Sequence, residues 1–88
     1  MKRNSDFLLR EVADTLVIVP VGKAAATFPG MITLNATSAY LWELLGTEQT
    51  TQSLTEALLN RYEVDEAKAQ EDVEAFIQKL MQIGAIED

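Results

Sequence analysis

The stretch Pro29-Gly30-Met31-Ile32-Thr33-Leu34-Asn35 combines a turn signal, a short strand and a helix start within seven residues. Pro29 suits the second position of a reverse turn because its ring fixes φ. Gly30 suits the third position of a type II turn, where φ is positive. The sequence therefore predicts a turn that leads directly into a new element.

A strand is predicted to follow this turn at residues 31–34. Ile32 and Leu34 share one face, with Met31 and Thr33 on the other, as in a half-buried strand. Asn35 then ends the strand, because an Asn side chain readily accepts hydrogen bonds from the free amides of a helical first turn. We expect Asn35 to be the N-cap of the apolar helix that follows.

The composition indicates one globular domain, residues 1–88, with 48% apolar and 24% charged residues. No apolar run approaches the length of a membrane span, and no secretory leader precedes the first strand, so a cytoplasmic location is expected. The chain contains no cysteine and no histidine. The absence of cysteine excludes disulfides and thiolate catalysis, and the absence of histidine excludes the commonest general base and metal ligand. We therefore expect no enzyme activity, no cofactor and no metal site.

The net charge of −7 is concentrated in the last third of the chain, where six of the 14 acidic residues lie between Glu63 and Glu74. A solvated helix face explains such a cluster, and a partner with basic residues is the alternative. The seven basic residues are scattered along the chain. Because phosphate binding needs clustered Lys and Arg, nucleic acid is not an expected partner.

The N-terminal part of the chain is predicted to form a β-hairpin. Residues 1–6 are polar and are expected to be disordered. Two β-rich runs follow, Phe7–Val12 and Thr15–Val19, and Ala13-Asp14 between them has the length of a tight turn. Residues 21–29 form a connection with no predicted element.

Three helices are predicted after Asn35. The first runs from Ala36 to about Leu45, with Gly46 as its terminating residue and Trp42 as a core aromatic. The second begins with either a Ser53/Glu56 capping box or an earlier cap at Thr50, and it ends near Tyr62.

The third and longest helix is predicted to run from an N-cap at Asp65 to a terminating Gly84. Its inward stripe consists of Ala69, Val73, Phe76, Leu80 and Ile83. Ile77 and Met81 widen this apolar face beyond what packing against two short helices requires. A further element or partner is therefore expected to lie against it.

Three motifs stand out along the chain: Leu34-Asn35 before the first helix, Trp42-Glu43-Leu44-Leu45 within it, and Tyr62-Glu63-Val64-Asp65 ahead of Asp72-Val73-Glu74-Ala75-Phe76. In these motifs the chain resembles the PqqD-like family of leader-peptide recognition domains. The resemblance implies an α+β, winged-helix-like fold in which a three-stranded antiparallel sheet, made of the hairpin and a third strand, packs on three helices. It also implies a non-catalytic adaptor or chaperone.

In such domains the leader of a ribosomally made precursor peptide adds as a strand beside the third strand, in a groove closed by the third helix. The domain then delivers the peptide to a modifying enzyme, often a radical S-adenosylmethionine (SAM) protein. An edge strand offers unpaired backbone groups for this purpose. The resemblance implies nine peptide-binding residues: Met31, Ile32, Thr33, Leu34, Lys68, Asp72, Val73, Phe76 and Ile77. For Val73 and Phe76 a core position is the favoured alternative, and Asp72 is as well suited to tying down a loop or helix start.

One departure concerns the members of the family that serve pyrroloquinoline quinone biosynthesis. They carry Cys-Asp-Gly after the first helix, whereas this chain reads Leu45-Gly46-Thr47-Glu48. A different peptide pathway is therefore expected.

Three alternatives remain from the sequence. A winged-helix fold suggests DNA binding, which the acidic start of the third helix opposes. A free strand edge also permits a homodimer through self-pairing. Enzyme activity would need converging carboxylates, but Glu71 and Asp72 are adjacent and point to different sides of a helix.

Overall fold

The fold combines a three-stranded sheet with a set of helices and a small two-stranded sheet. The structure is a computed structural model that describes residues 1–27 and 30–87. Its elements in chain order are β1 (Lys2–Arg3), β2 (Phe7–Val12), β3 (Thr15–Pro20), α1 (Lys23–Thr27), β4 (Ile32–Leu34), α2 (Ala36–Leu44), α3 (Thr51–Arg61), α4 (Glu66–Ile83) and β5 (Ile86–Glu87). The predicted α+β class with a three-stranded antiparallel sheet is confirmed.

The hairpin of β2 and β3 forms as predicted, with Val12 opposite Thr15 across the turn. Ala13 and Asp14 have φ values of 50° and 67°. Two consecutive positive φ angles are typical of a type I′ turn, whose twist matches that of the two strands. The tight turn therefore fixes the register of the hairpin.

The third strand of the sheet, β4, pairs antiparallel with β3, and the strand order is β2-β3-β4. The predicted strand is confirmed at Ile32–Leu34, whereas Met31 precedes it. Pro29, on which the predicted turn depends, lies outside the described residues. The connection before it contains α1, which the sequence analysis missed because Ala24-Ala25-Ala26 has no amphipathic pattern.

The start of α2 is confirmed, because the Asn35 side chain accepts a hydrogen bond from the Ser38 amide at 2.8 Å. Its end lies within one residue of the predicted position, since the last helical residue is Leu44. Leu45 is the C-cap, and Gly46 does not adopt the left-handed conformation. The amide of Gly46 instead donates to the carbonyl of Glu43 at 3.1 Å, which tightens the last turn.

The remaining two helices are capped by side chains. At α3 the earlier of the two predicted caps is correct: Thr50 and Ser53 form a reciprocal capping box, and Glu56 takes no part in it. At α4 both predicted ends are confirmed, with Asp65 accepting from the Lys68 amide and Gly84 at a φ of 75°.

The core lies between the sheet and the helices. The fully buried Trp42 occupies its centre, as predicted for a core aromatic. The inward stripe of α4 is confirmed for its first four members, while Ile83 is only partly buried. Of the two residues that broaden the apolar face, Ile77 is buried in the core, whereas Met81 is 51% exposed.

The N-terminal residues differ from the expectation of disorder. Lys2–Arg3 pairs with Ile86–Glu87 as a two-stranded sheet, and the Asn4 amide donates to the carbonyl of Ala85 at 2.8 Å. The sequence gives no sign of this strand, because it is held by backbone pairing with the distant C-terminal segment. Such pairing requires no pattern of apolar side chains. Of the helices within residues 1–27 and 30–87, none has the length and apolarity required to cross a membrane.

Candidate functional site

The backbone groups that β4 leaves free follow from the alternation of hydrogen-bonded and non-hydrogen-bonded residue pairs along the hairpin. Val12 and Thr15 close a two-residue turn and therefore form a hydrogen-bonded pair. Such pairs alternate with non-bonded pairs along an antiparallel ladder. The alternation that begins at Val12 and Thr15 continues to the far end of the hairpin, where it predicts a bonded pair at Asp6 and Val21. The Val21 amide does donate to the Asp6 carbonyl, at 2.7 Å.

The same alternation shows which backbone groups of β4 bond to β3 and which point outward. Residues of β3 that do not bond to β2 bond to β4, so Leu16 and Ile18 form the hydrogen-bonded pairs with Leu34 and Ile32. Thr33 lies between these pairs. Its N–H and C=O consequently point away from β3, and no strand within the described residues pairs with them.

The side chains of β4 divide between the two faces of the sheet. Ile32 and Leu34 are 8% and 6% exposed and belong to the core. Thr33 and the preceding Met31 are exposed, Met31 at 58%. The edge thus presents a backbone site with an outer face that is open to solvent.

A depression of about 420 Å³ lies beside the end of β4, between the first turn of α2 and one face of α4. From α2 and its cap it is lined by Asn35, Thr37, Ser38 and Leu41. From α4 it is lined by Lys68, Asp72, Ala75, Phe76 and Lys79. Asn35 directly follows β4, so the end of the strand and the depression meet at this residue.

The rim of this depression carries an ion pair. Lys68 Nζ lies 2.9 Å from Asp72 Oδ1, one helical turn away, and both side chains are largely exposed. The hydrogen bond to Asp72, with the charge of the same carboxylate, raises the pKa of Lys68 above its ordinary value of 10.5. Lys79 forms no ion pair within the described part of the chain. The depression therefore has a net positive rim on a protein of net charge −7.

The nine residues predicted for peptide binding fall into three groups. Met31 and Thr33 lie exposed at the edge, and Lys68, Asp72 and Phe76 line the depression. The other four, Ile32, Leu34, Val73 and Ile77, are buried in the core. The core alternative is therefore confirmed for Val73, which is fully buried, and for Phe76, which is 7% exposed and also lines the depression.

Several lining residues were missed by the sequence analysis. Thr37, Ser38 and Lys79 belong to the depression, and Asn35 was assigned only a capping role. Lys79 follows Asp72 by seven positions and thus lies on the same helical face. That spacing was available in the sequence, but nothing local distinguished this face of α4 from the others.

A second depression, of about 650 Å³, lies between α3 and the opposite face of α4. Its lining includes Glu56, Glu66 and Glu74. The side-chain amides of Gln52 and Gln70 donate to Glu56 and Glu74, each within its own helix. This surface is acidic and separate from the free strand edge. No three acidic side chains among residues 1–27 and 30–87 are grouped closely enough to hold a metal ion.

Comparison with known proteins gives one family match and two similar folds. The family model described as "Coenzyme PQQ synthesis protein D (PqqD)" matches residues 15–86. No curated protein is similar enough to the chain to count as a match.

The first similar structure is "TbiB1 in Complex with the TbiA(beta) Leader Peptide", with a TM-score of 0.76 and 20% identity over 99% of this chain and 95% of that one. The second is "Lasso peptide synthetase B1 complexed with the leader peptide", with a TM-score of 0.72 and 19% identity over 96% of this chain and 93% of that one. At these identities the likeness concerns the fold.

Proposed function

Because the chain belongs to the PqqD family, we propose that it is a non-catalytic adaptor that captures the leader of a ribosomally made precursor peptide. The leader adds as a strand to the free edge of β4 and continues into the adjoining depression. The adaptor then presents the peptide to a modifying enzyme of the radical SAM type or of another class. The observation that carries this proposal is the outward direction of the Thr33 backbone groups, two residues before Asn35, which lines a depression between α2 and α4.

The fold likeness supports the proposal, since both similar structures are described with a leader peptide bound. In a β-strand addition complex, main-chain hydrogen bonds give register while pockets beside the strand give specificity. The open edge of β4 and the depression beside Asn35 supply these two elements.

Hydrogen-bond energies limit what the edge alone contributes. The two outward groups of Thr33 would add about 1–3 kcal/mol, whereas micromolar binding requires about 8 kcal/mol. The remainder must come from side chains in the depression, where Phe76 and Leu41 form the floor and Lys68 and Lys79 the rim. Edge and depression are therefore both needed for useful affinity.

The peptide is proposed to differ from the quinone precursor, because Leu45-Gly46-Thr47-Glu48 occupies the segment after α2. DNA binding is disfavoured by the exposed carboxylates of α4, among them Glu66, Glu71 and Glu74. A homodimer through β4 would occupy the same Thr33 groups as the peptide, so the two states would compete.

An NMR titration tests the proposal. Synthetic peptides corresponding to the N-terminal halves of short open reading frames flanking the gene are added to the ¹⁵N-labelled chain. One of them is expected to shift the amides of Thr33, Asn35 and Asp72. The proposal is overturned if none of the peptides binds, or if the shifts lie only on the acidic face between α3 and α4.

A further inference from the structure

The sheet has a second free edge at β2, on the side away from β3. The strand order is β2-β3-β4, and no strand in the described part of the chain pairs with the outer side of β2. The alternation of bonded pairs along the hairpin connects three residues of β2 to β3: Leu8, Arg10 and Val12. The N–H and C=O groups of Leu9 and Glu11 therefore point outward. This edge offers two outward residues, whereas β4 offers one, Thr33.

A cationic side chain lies at this edge. Arg10 Nη1 donates to the outward carbonyl of Leu9 at 3.3 Å. The Arg10 side chain is exposed and forms no ion pair with any described residue. Charged side chains protect an edge strand against indiscriminate pairing. The same guanidinium can bind a carboxylate, because charge-assisted hydrogen bonds are stronger than neutral ones.

A second copy of the chain fits this edge poorly. The register that uses all the outward groups pairs Leu9 of one copy with Glu11 of the other, and it places Arg10 directly opposite Arg10. A register centred on Glu11 places two carboxylates opposite each other, and like charges in such positions destabilise a strand pair. A register centred on Leu9 requires the amide of Phe7, which already donates to the Asn4 carbonyl at 3.1 Å. The edge therefore suits a strand of a different sequence.

We propose that the outer edge of β2 is a second strand-addition site, which takes an extended segment of a partner protein with Asp or Glu opposite Arg10. The proposal does not rest on leader binding, since β2 and β4 are the two opposite edges of the sheet. Residues 1–12 carry three basic and two acidic side chains, whereas the whole chain has a net charge of −7. An acidic segment is thus favoured at this edge, although it would be repelled by the chain as a whole.

The geometry of the ladder specifies the residues around the acidic one. Antiparallel addition continues the pattern of the sheet and is slightly more stable per residue than parallel addition. Arg10 would then lie in a non-bonded pair, in which opposite Cα atoms are about 4.5 Å apart and side chains are in contact. Leu8 and Val12 share the face of Arg10, and Val12 is 52% exposed. The expected segment therefore has an aliphatic residue two positions before the acid and another two positions after it.

The experiment selects mRNA-displayed random ten-residue peptides on the full chain carrying Thr33→Pro, which closes the β4 edge. The selected peptides are then measured by fluorescence anisotropy against three forms that each add one change to this background: Glu11→Pro, Glu11→Thr and Arg10→Glu. Glu11→Pro removes an outward N–H, a change that edge strands tolerate. Glu11→Thr is its matched control, because it alters the same exposed side chain and keeps the N–H.

The selected peptides are expected to carry Asp or Glu at one fixed position between two aliphatic residues. Glu11→Pro should weaken their binding about tenfold or more relative to Glu11→Thr, because a hydrogen bond is lost and the ring obstructs the added strand. Arg10→Glu should also weaken their binding. Replacing the acidic residue of the peptide by Lys should restore binding to Arg10→Glu, an effect that a purely protective role of Arg10 would not produce.

The proposal is wrong if no peptide is recovered, if no acidic position appears, or if Glu11→Pro and Glu11→Thr bind the peptides equally. It is also wrong if the Lys-containing peptides fail to bind Arg10→Glu. Circular dichroism establishes which forms are folded. The charge exchange at Arg10 decides the matter if Glu11→Pro is unfolded, because that exchange alters no backbone group. Leader binding at β4 is unaffected by any of these outcomes, since that edge is closed in every form.

Discussion

Thr33 lies opposite Val17 in the sheet, at a position where neither residue hydrogen-bonds to the other across the ladder. The side chain of Val17 is buried, at 3% exposure, whereas that of Thr33 is exposed. The N–H of Thr33 is therefore available to a partner strand without loss of any bond inside the sheet. A substitution that removes the Thr33 N–H should therefore affect peptide binding without breaking the sheet.

Thr33→Pro removes the outward N–H alone. We expect the dissociation constant for a bound peptide to rise about tenfold or more, because an edge bond is lost and the ring obstructs the added strand. Stability should change by less than about 1 kcal/mol, since proline is tolerated where the N–H of an edge strand faces solvent. Calorimetric titration and urea unfolding provide the two measurements.

The matched control is Ile32→Pro, one residue away. Ile32 bonds to β3 and contributes a buried side chain, so this change should cost about 3 kcal/mol or more. Equal destabilisation by the two proline substitutions would contradict the conclusion that Ile32 bonds to β3 while Thr33 points outward.

The hairpin turn is predicted to be a site of easy stabilisation. Ala13 and Asp14 both have positive φ, which costs an alanine roughly 1 kcal/mol. The double change Ala13→Asn with Asp14→Gly supplies the preferred type I′ pair and should raise stability by about 1 kcal/mol, or about 4–8 °C in the melting temperature. Thermal unfolding measures this, and Glu11→Gly, in the adjoining strand, should lower stability instead.

Arg3 is predicted to stabilise the end of α2. Its Nη1 donates to the Trp42 carbonyl at 3.1 Å, and the guanidinium carbon lies 5.9 Å from the ring centre of the same residue. Arg3→Ala should cost about 1–2 kcal/mol in chemical unfolding, because a helix C-terminus loses its cation and hydrogen bond. Lys2→Ala, at the exposed neighbouring position, should change stability by less than about 0.5 kcal/mol.

A double-mutant cycle with Gly46 tests the same contact. A Cβ at Gly46 would lie 3.1 Å from Arg3 Nη2 and 3.2 Å from the Glu43 carbonyl oxygen. Gly46→Ala should therefore be less destabilising in the Arg3→Ala background than in the wild type. Additive costs would show that Arg3 does not pack against this turn.

The Lys68–Asp72 pair gives a prediction about pH. Asp72 raises the Lys68 pKa above 10.5, chiefly through the side-chain hydrogen bond. A raised folded-state pKa contributes stability that is fully present below the unfolded-state pKa and is lost as pH rises through the folded value. As the pH rises from neutrality, the contribution of Lys68 to the pair should therefore persist up to pH 10.5 and be lost above it.

The pKa itself can be followed by the ¹³Cε shift of Lys68. Asp72→Asn should lower the Lys68 pKa, because the negative charge is lost and an amide oxygen is a weaker acceptor than a carboxylate. Glu71→Gln should lower it less, since Glu71 acts through charge alone. A larger effect from Glu71→Gln would mean that the ion pair of the folded chain is with the other carboxylate.

Local signals in the sequence predicted most elements correctly. Asn35, Asp65 and Gly84 fix helix ends through their own backbone and side-chain preferences, and the alternation of Ile32 and Leu34 identifies β4. These features depend on neighbours within a few residues. For that reason they can be found without the fold.

Other features depend on residues distant in sequence. Lys2 and Arg3 are ordered by pairing with β5, and the turn at Gly46 is shaped by the approach of Arg3. The depression joins Asn35 and Thr37 to Lys79, more than 40 positions away. Helical spacing alone did not identify which face of α4 the sheet and α2 would leave open.

By itself the sequence determined the strand, its cap and the helices, because short-range sterics and capping bonds select them. The tertiary structure decided that Thr33 directs its N–H and C=O outward, because that direction follows from the phase of a hairpin closed at Ala13 and Asp14. It also decided that Val73 and Ile77 pack inward while Lys68 and Lys79 flank the open surface. Burial of the apolar stripe of α4 in the common hydrophobic core is the physical reason for that division.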